Sequence, residues 1–230
     1  MSKAINALDS LWDSLLTEDR LRHFYARLRY SFLKGRMRIL EGFESNPAVA
    51  YNMDFKPAAF GCGGRMAMLL FPLRGFLFPD HKRARVLIVG PRTEDDILWA
   101  KSIGLRKARG LDLFSYSPMI ELGNIHHTSY PDNHFDAVLL GWILPYVTDP
   151  RQVLLESVRI LRRGGLVGLG WHYVPTGSNN ENTFSEHSIN THADVQKLIT
   201  DTGGKIFCTM DSEKEDEDHY KATFFKVSKP

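Results

Sequence analysis

The chain has 230 residues, the length of one domain with additional elements. A hydrophobic share of 43% and an aromatic share of 11% exclude a disordered chain, a collagen-like repeat and a coiled coil. No uncharged apolar run of about 18 residues is present, so we expect no membrane span, and the N-terminus does not resemble a signal peptide. Cys62 and Cys208 are too few for a disulfide framework or a zinc knuckle. We therefore expect a reduced, cytoplasmic protein.

Charge is distributed unevenly along the chain. Residues 1–110 carry 19 basic and 11 acidic residues, or +8, whereas residues 111–230 carry 10 and 16, or −6, which gives the net +2. A basic front half suggests an anionic partner, which could be a phosphorylated or carboxylated substrate, nucleic acid or a membrane surface. A solvated helix face is the alternative. Because no base-reading motif accompanies the charges, we expect no sequence-specific nucleic-acid binding.

Residues 1–80 are predicted to form an N-terminal helical cap or lid extension. Apolar residues recur at helical spacing from Ile5 to Leu16 and again from Leu21 to Ile39, which predicts two helices. The segment 57–79 is apolar but is interrupted by Pro57, Pro72, Gly75 and Pro79, so we expect a lid rather than one long helix.

Residues 81–230 alternate between strand and helix patterns. This alternation predicts an α/β fold, a doubly wound and mostly parallel sheet with helices on both faces and a C-terminal antiparallel hairpin at one edge. Ligands of such folds bind at the carboxyl ends of the strands. The predicted strands are 85–89, 108–113, 135–140, 166–171, 205–210 and 221–227. Predicted helices begin at the caps Thr93, Asp149 and Thr191, and end near Ile103, Gly164 and Gly203.

Residues 123–171 carry the most specific pattern, above all PDNHFD at 131–136 and RRGG at 162–165. This run resembles the class I S-adenosylmethionine-dependent methyltransferases of type 11. The resemblance implies a Rossmann-like seven-stranded sheet in residues 81–230, S-adenosyl-L-methionine as cofactor, and methyl transfer as the reaction.

The loop after the first strand departs from the family, because only Gly90 of its glycines is present. Gly90 still permits a sharp turn, and amides at the start of the next helix can receive a carboxylate. Asp112 lies 22 residues after Gly90, the spacing of a ribose-binding acid. Arg92 is expected to pair with the methionine carboxylate and Glu94 to replace the missing acid near the amino group. The complete predicted cofactor set is Gly90, Pro91, Arg92, Thr93, Glu94, Asp112, Phe114 and Asn124 (both beside the adenine), Ile125 and Gly141.

Three residues are candidates for the acceptor side. His172 follows a strand at its carboxyl end and is a candidate general base, whereas Trp142 and Tyr146 follow the strand at 135–140. Packing is the alternative role for all three. No ligand spacing predicts a metal.

The resemblance favours methyl transfer, and the lid segment 57–79 with the basic N-terminal helices favours an anionic small-molecule or glycan acceptor. A homodimer is left open. The alternatives are a non-catalytic binding or scaffold protein that kept the fold and a nicotinamide-dependent dehydrogenase. The dehydrogenase alternative is disfavoured because this chain lacks two of the three glycines that a dinucleotide-binding loop requires.

Overall fold

The protein is described by a computed structural model that covers residues 16–46, 49–50, 65–91, 93–173, 189, 191–211 and 219–227. The helices are α1 (Asp19–Leu33), α2 (Ala67–Phe76), α3 (Glu94–Ser102), α4 (Pro150–Ile160) and α5 (His192–Asp201). The strands are β1 (Arg38–Ile39), β2 (Arg85–Val89), β3 (Lys107–Asp112), β4 (Phe114–Ser115), β5 (Ile120–Leu122), β6 (Phe135–Gly141), β7 (Leu161–Tyr173), β8 (Gly204–Asp211) and β9 (His219–Val227).

Seven strands form one sheet in the order β5-β3-β2-β6-β7-β9-β8. The pairs from β5 to β7 are parallel, whereas β9 is antiparallel to both β7 and β8. The predicted mostly parallel sheet with antiparallel C-terminal strands is therefore confirmed. After β2 the chain first builds β3 and β5 on one side and then returns to β6 on the other. The carboxyl ends of β2 and β6 thus form the topological switch point, where ligands of doubly wound sheets bind.

The sheet is buried on both faces, which explains why its central strands are almost continuously apolar. Val86 and Ile88 of β2 point to the face covered by α2. Leu87 and Val89 point to the opposite face, which α4 and α5 cover. The switch point therefore lies between two packed layers, and its backbone is fixed from both sides.

Helix α2 corrects the predicted lid. Residues 67–76 form a helix that contains Pro72, and its Leu69, Leu70 and Leu73 are fully buried in the same core as the sheet. Proline within a helix is unfavourable because it removes a backbone hydrogen bond, and here the burial of three leucines offsets that cost. The described part of segment 57–79 is thus a core helix, whose deletion would remove core. That the rest of residues 1–80 caps the acceptor stays a prediction.

Two helix ends differ from the sequence prediction. Helix α1 ends at Leu33, and Ile39 instead lies in a strand that pairs with Phe114. Helix α4 ends at Ile160, because Leu161 already pairs with Phe135 as the first residue of β7. In both places strand pairing with a distant segment overrides the local helical pattern. The helix predicted over residues 5–15 lies outside the described residues.

Candidate active site at the carboxyl edge of the sheet

Gly90 ends β2 at the switch point and adopts a left-handed conformation with φ of +68°. Its backbone N–H donates to the carbonyl oxygen of Leu111 over 2.9 Å. A Cβ atom at this position would lie 2.5 Å from Cγ2 of Ile143, in the segment after β6. Only glycine therefore fits here, both in conformation and in space. The sharp turn predicted for this loop is present.

Asp112 is the last residue of β3, as predicted, and its side chain is half-buried at the strand end. Its Oδ1 accepts a hydrogen bond of 2.7 Å from the backbone N–H of Leu113, which fixes the carboxylate at the carboxyl edge. A carboxylate held there has the acceptor chemistry that ribose hydroxyls require. Its contact with ribose stays a prediction.

Asn124 follows β5 on the same edge, and its Oδ1 is already engaged. The oxygen accepts from the backbone N–H of His126 over 2.9 Å and lies 2.8 Å from Nδ1 of the same histidine. Nε2 of His126 in turn accepts from the backbone N–H of Asp149 over 3.2 Å, and burial lowers the pKa of His126. A neutral ring with its proton on Nδ1 satisfies both contacts. These contacts do not engage the Asn124 NH₂, and its predicted contact with adenine stays a prediction. Ile125 packs in the core beside it.

The motif that carries the family resemblance forms an ion-pair network behind this loop. Glu156 on α4 accepts from the backbone N–H of Thr128 over 2.7 Å and from its hydroxyl over 2.6 Å. Arg159, one turn further, binds Glu156 at 2.7 Å, Asp132 at 2.5 Å and the carbonyl oxygen of Tyr130 at 2.8 Å. These contacts anchor residues 128–132 to α4. The role of the motif in this chain is therefore to shape the loop that follows β5.

Glu94 corrects a predicted cofactor contact. Its side chain is 0% exposed and is held by Arg29 of α1, whose Nε lies 2.5 Å from Oε2 and whose Nη2 lies 2.8 Å from Oε1. The hydroxyl of Ser117 also donates to Oε1, and the bond to Glu94 raises the pKa of Arg29. A carboxylate neutralised in this way does not serve the amino group of methionine. Glu94 joins α1 to α3 instead.

The start of α3 is also less suited to a carboxylate than predicted. The backbone N–H of Glu94 donates to the hydroxyl of Tyr116 over 2.9 Å, and that of Asp95 donates to Oγ1 of the N-cap Thr93 over 3.4 Å. The first turn holds three acidic residues, which already occupy the positive end of the helix dipole. A methionine carboxylate would find two amides engaged and like charges nearby. Arg92, the predicted partner of that carboxylate, lies outside the described residues.

Two further members of the predicted cofactor set are packed inside the protein. Phe114 is 2% exposed and pairs with β1, so no face of its ring is open to adenine. Pro91 is buried against Gly110 of β3, where a Cβ atom would lie 2.7 Å from its Cγ. Gly141 ends β6, and Met66 covers it, with Sδ at 3.2 Å from the position of a Cβ atom.

Trp142 is buried rather than presented in the loop after β6. Its backbone has a φ of +58°, which is unusual for a bulky residue, and its ring lies flat against Gly170 of β7, at 2.8 Å from the position of a Cβ atom there. This turn directs the side chain back over the sheet. The indole N–H has no hydrogen-bond partner among the described residues. Most contacts of Trp142 are therefore packing contacts, which is the alternative role considered for it.

The structure brings Trp142 and His172 together with two residues that sequence reasoning missed. Tyr220 of β9 is paired with His172 in the sheet register, and its ring centroid lies 4.8 Å from that of His172 and 5.7 Å from that of Trp142. The guanidinium of Arg65, just before α2, lies 5.1 Å from the centre of the Trp142 ring. No local signal marks Tyr220 or Arg65, because they arrive from strand order and from the packing of α2. The four form an aromatic and cationic cluster, and its role toward an acceptor stays a prediction.

Tyr146 lies in the 3₁₀ turn Leu144–Tyr146 and is half-buried. Its backbone N–H donates to the carbonyl oxygen of Ile143 over 2.9 Å, so the turn is locally closed. Its role toward an acceptor stays a prediction. In the part of the chain that the structure describes, no three His, Cys, Asp or Glu side chains are grouped as metal ligands would be.

Comparison with known proteins agrees with this geometry. A family model described as a methyltransferase domain matches residues 101–169. Curated proteins described as uncharacterized, from Mycobacterium tuberculosis and Mycobacterium bovis, are 25% identical over 138 residues, which is 53% of this chain and 47% of theirs. The chain thus spans about half the length of the curated relatives it matches.

Solved structures share the fold. A putative methyltransferase in complex with the Trm112 activator from Haloferax volcanii is 15% identical, with a TM-score of 0.60 over 84% of this chain and 99% of that one. A methyltransferase from Leishmania major, named as dependent on S-adenosylmethionine, is 13% identical, with a TM-score of 0.57 over 78% and 81%. A methyltransferase domain model thus matches residues 101–169, and the sheet shares its fold with solved structures of S-adenosylmethionine-dependent methyltransferases.

Proposed function

We propose that the domain transfers a methyl group to an anionic small molecule or glycan that binds over the cluster of Arg65, Trp142, His172 and Tyr220. The observation that carries this proposal is Arg65. Its guanidinium is half-buried on an aromatic ring at the carboxyl edge, and it makes no salt bridge within the described residues. A partly buried cation at an acceptor site favours a carboxylate, phosphate or sulfate on the acceptor.

The residues at the carboxyl edge of the sheet offer the hydrogen-bonding groups that the adenosine half of S-adenosylmethionine would need. Asp112 would accept from the ribose, the amide of Asn124 would donate to the adenine edge, and the turn at Gly90 would let the backbone approach. When bound, S-adenosylmethionine supplies an activated methyl group. The protein contributes orientation of the acceptor and exclusion of water from the site.

His172 is proposed to hold the proton of an acceptor hydroxyl or amine. The imidazole is half-buried at the end of β7, beside Tyr220, and an imidazole titrates near neutral pH. His172→Asn should lower kcat by about 10²–10⁴ if the ring is the general base, whereas affinity for S-adenosylhomocysteine should change only a few-fold. An unchanged pH–rate profile in this variant would reduce His172 to a packing residue.

The acceptor class is tested by formation of S-adenosylhomocysteine with a panel of matched anionic and neutral small molecules and glycans. We expect turnover only with anionic members. Arg65→Gln should raise KM for them by about tenfold or more, since a charge-assisted hydrogen bond contributes roughly 1.5–3 kcal/mol. Arg74→Gln, at an exposed arginine of α2, the helix that follows Arg65, is the matched control and should behave like the wild type.

Two results would contradict the proposal. Equal turnover of neutral and anionic acceptors would show that Arg65 does not bind an anionic group of the acceptor. Failure of the wild type to bind S-adenosylhomocysteine in calorimetry would favour a scaffold that kept the fold and lost the cofactor.

A further inference from the structure

Helix α1 presents a row of large apolar side chains to solvent. Phe24 is 66% exposed and Phe32 is 78% exposed. Leu21, before Phe24, is 46% exposed, and Leu28, between the two phenylalanines, is 43% exposed. With 3.6 residues per turn, the four fall within an arc of roughly 80°. They therefore form one stripe along the helix. Single exposed apolar residues are ordinary, but a contiguous stripe marks an interaction surface.

A line of basic residues runs beside this stripe. From Arg20 to Leu40 the chain has seven basic residues and no acidic one. Arg20, Arg27 and Lys34 are exposed and are spaced seven residues apart, which places them along one flank of the helix. The apolar row and the basic row are thus parallel on the outer surface.

The opposite side of α1 is fixed to the body of the protein. Nε of Arg22 lies 3.2 Å from Oδ1 of Asp95, and its guanidinium lies 4.5 Å from the centre of the Trp99 ring. Arg29 binds Glu94 through two nitrogens. Rotation of α1 to bury its stripe would unpair both buried carboxylates, which is strongly unfavourable. The stripe is therefore held outward by the fold.

We propose that α1 docks this protein on an anionic lipid surface. Phenylalanine and leucine on one face, with arginine and lysine beside them, is the composition of helices that lie in the membrane interface. Asp19, the acidic residue of α1, pairs with Arg22 on the side of the helix away from the stripe. Each basic residue near an anionic surface adds about 1 kcal/mol of attraction. None of the described helices is long and apolar enough to cross the bilayer, so this contact is with the surface. A nucleic acid would use the charges alone, and a protein partner would need acidic residues around an apolar groove.

The test is flotation of the full-length chain with two kinds of vesicle, phosphatidylcholine alone and phosphatidylcholine mixed with phosphatidylglycerol. We expect tight binding only to the mixed vesicles. Phe24→Gln with Phe32→Gln should weaken it at least about tenfold, since each ring loses its apolar burial. The double variant Arg20→Gln with Lys34→Gln should have its affinity for the mixed vesicles lowered about fivefold for each charge removed. Added salt should reduce the difference in affinity between this variant and the wild type. Phe78→Gln removes a 71% exposed ring that does not belong to α1, and it should bind like the wild type.

The proposal would be overturned if the wild type did not bind the mixed vesicles or if the Phe24 and Phe32 variant bound them equally well. A dimer in light scattering that this variant dissociates would also overturn it. The last result would assign the stripe to self-association. Tighter binding of the wild type to a DNA or RNA duplex than to vesicles, unaffected by loss of the phenylalanines, would also overturn it. Melting curves of all variants should match the wild type, and Leu21→Gln with Leu28→Gln provides a second test of the same stripe.

Discussion

Glu94 and Glu156 are both buried carboxylates bound by arginine, yet they differ in the distance to their partner along the chain. Glu156 binds Arg159, three residues away on the same helix, whereas Glu94 binds Arg29, 65 residues away on another helix. The first pair belongs to the family pattern and holds the loop after β5. The second replaces a cofactor contact by a structural one. An acidic residue beside a glycine turn is therefore a ligand only if no other element neutralises it.

The largest expected effect separates a structural role of Glu94 from a cofactor role. Glu94→Gln leaves Arg29 without its carboxylate and should lower the free energy of unfolding by about 3 kcal/mol, as measured by urea denaturation. Affinity for S-adenosylhomocysteine in the folded protein should stay within a few-fold. The double variant Glu94→Gln with Arg29→Gln should have nearly the same free energy of unfolding as Glu94→Gln alone, because the ion pair is already broken. Full stability with weakened cofactor binding would restore the cofactor role.

The matching experiment on Glu156 uses pH. Burial raises the pKa of Glu156, but hydrogen bonds from Arg159 and Thr128 outweigh it and lower the pKa from 4.5 to about 2. Because the folded protein has the lower pKa, this stabilisation is complete above about pH 5 and is lost as the pH falls toward 2. We expect it to amount to about 2 kcal/mol, given that Arg159 is partly in solvent. Glu156→Gln should therefore be less stable than the wild type at pH 7, with a difference that shrinks on acidification. A constant difference would contradict this.

Asp112 is expected to carry the cofactor binding that Glu94 does not. Asp112→Ala should weaken binding of S-adenosylhomocysteine by at least about tenfold, because charge-assisted hydrogen bonds to ribose contribute roughly 1.5–3 kcal/mol each. Asp112→Asn should cost less, since its amide oxygen still accepts one bond. Calorimetric titration measures the affinity, and the melting temperature should barely move. Equal binding by all three proteins would show that ribose is held elsewhere.

The smallest expected effect compares the caps of α3 and α5. Thr191 and Asp194 form a reciprocal capping box, with both hydrogen bonds present, whereas Thr93 makes one bond of 3.4 Å to the amide of Asp95. Thr191→Ala should cost about 1 kcal/mol of stability and Thr93→Ala about half as much. Thermal melting of the two variants side by side measures the difference, and a larger loss at Thr93 would reveal a second role for that residue.

Local interactions along the chain were enough to predict much of the fold. Strand β2 has the predicted bounds 85–89, Asp149 and Thr191 cap helices as predicted, and Asp112 lies at the end of β3. These features depend on hydrogen bonds and periodicities within about four residues, so the sequence alone expresses them. The family pattern within residues 123–171 is also readable from the sequence, because its Glu156 and Arg159 are neighbours on one helix.

Only the tertiary structure decided the site. Arg29 reaches Glu94, Tyr220 reaches His172, and α2 enters the core because strand order and helix packing bring together residues that are far apart in the chain. Whether an acidic residue binds a ligand or forms an internal ion pair depends on which charge the fold places beside it. The same holds for α1, whose apolar residues predict a buried face. Its arginines pair with α3, and because those buried ion pairs are costly to break, the apolar stripe is turned to solvent.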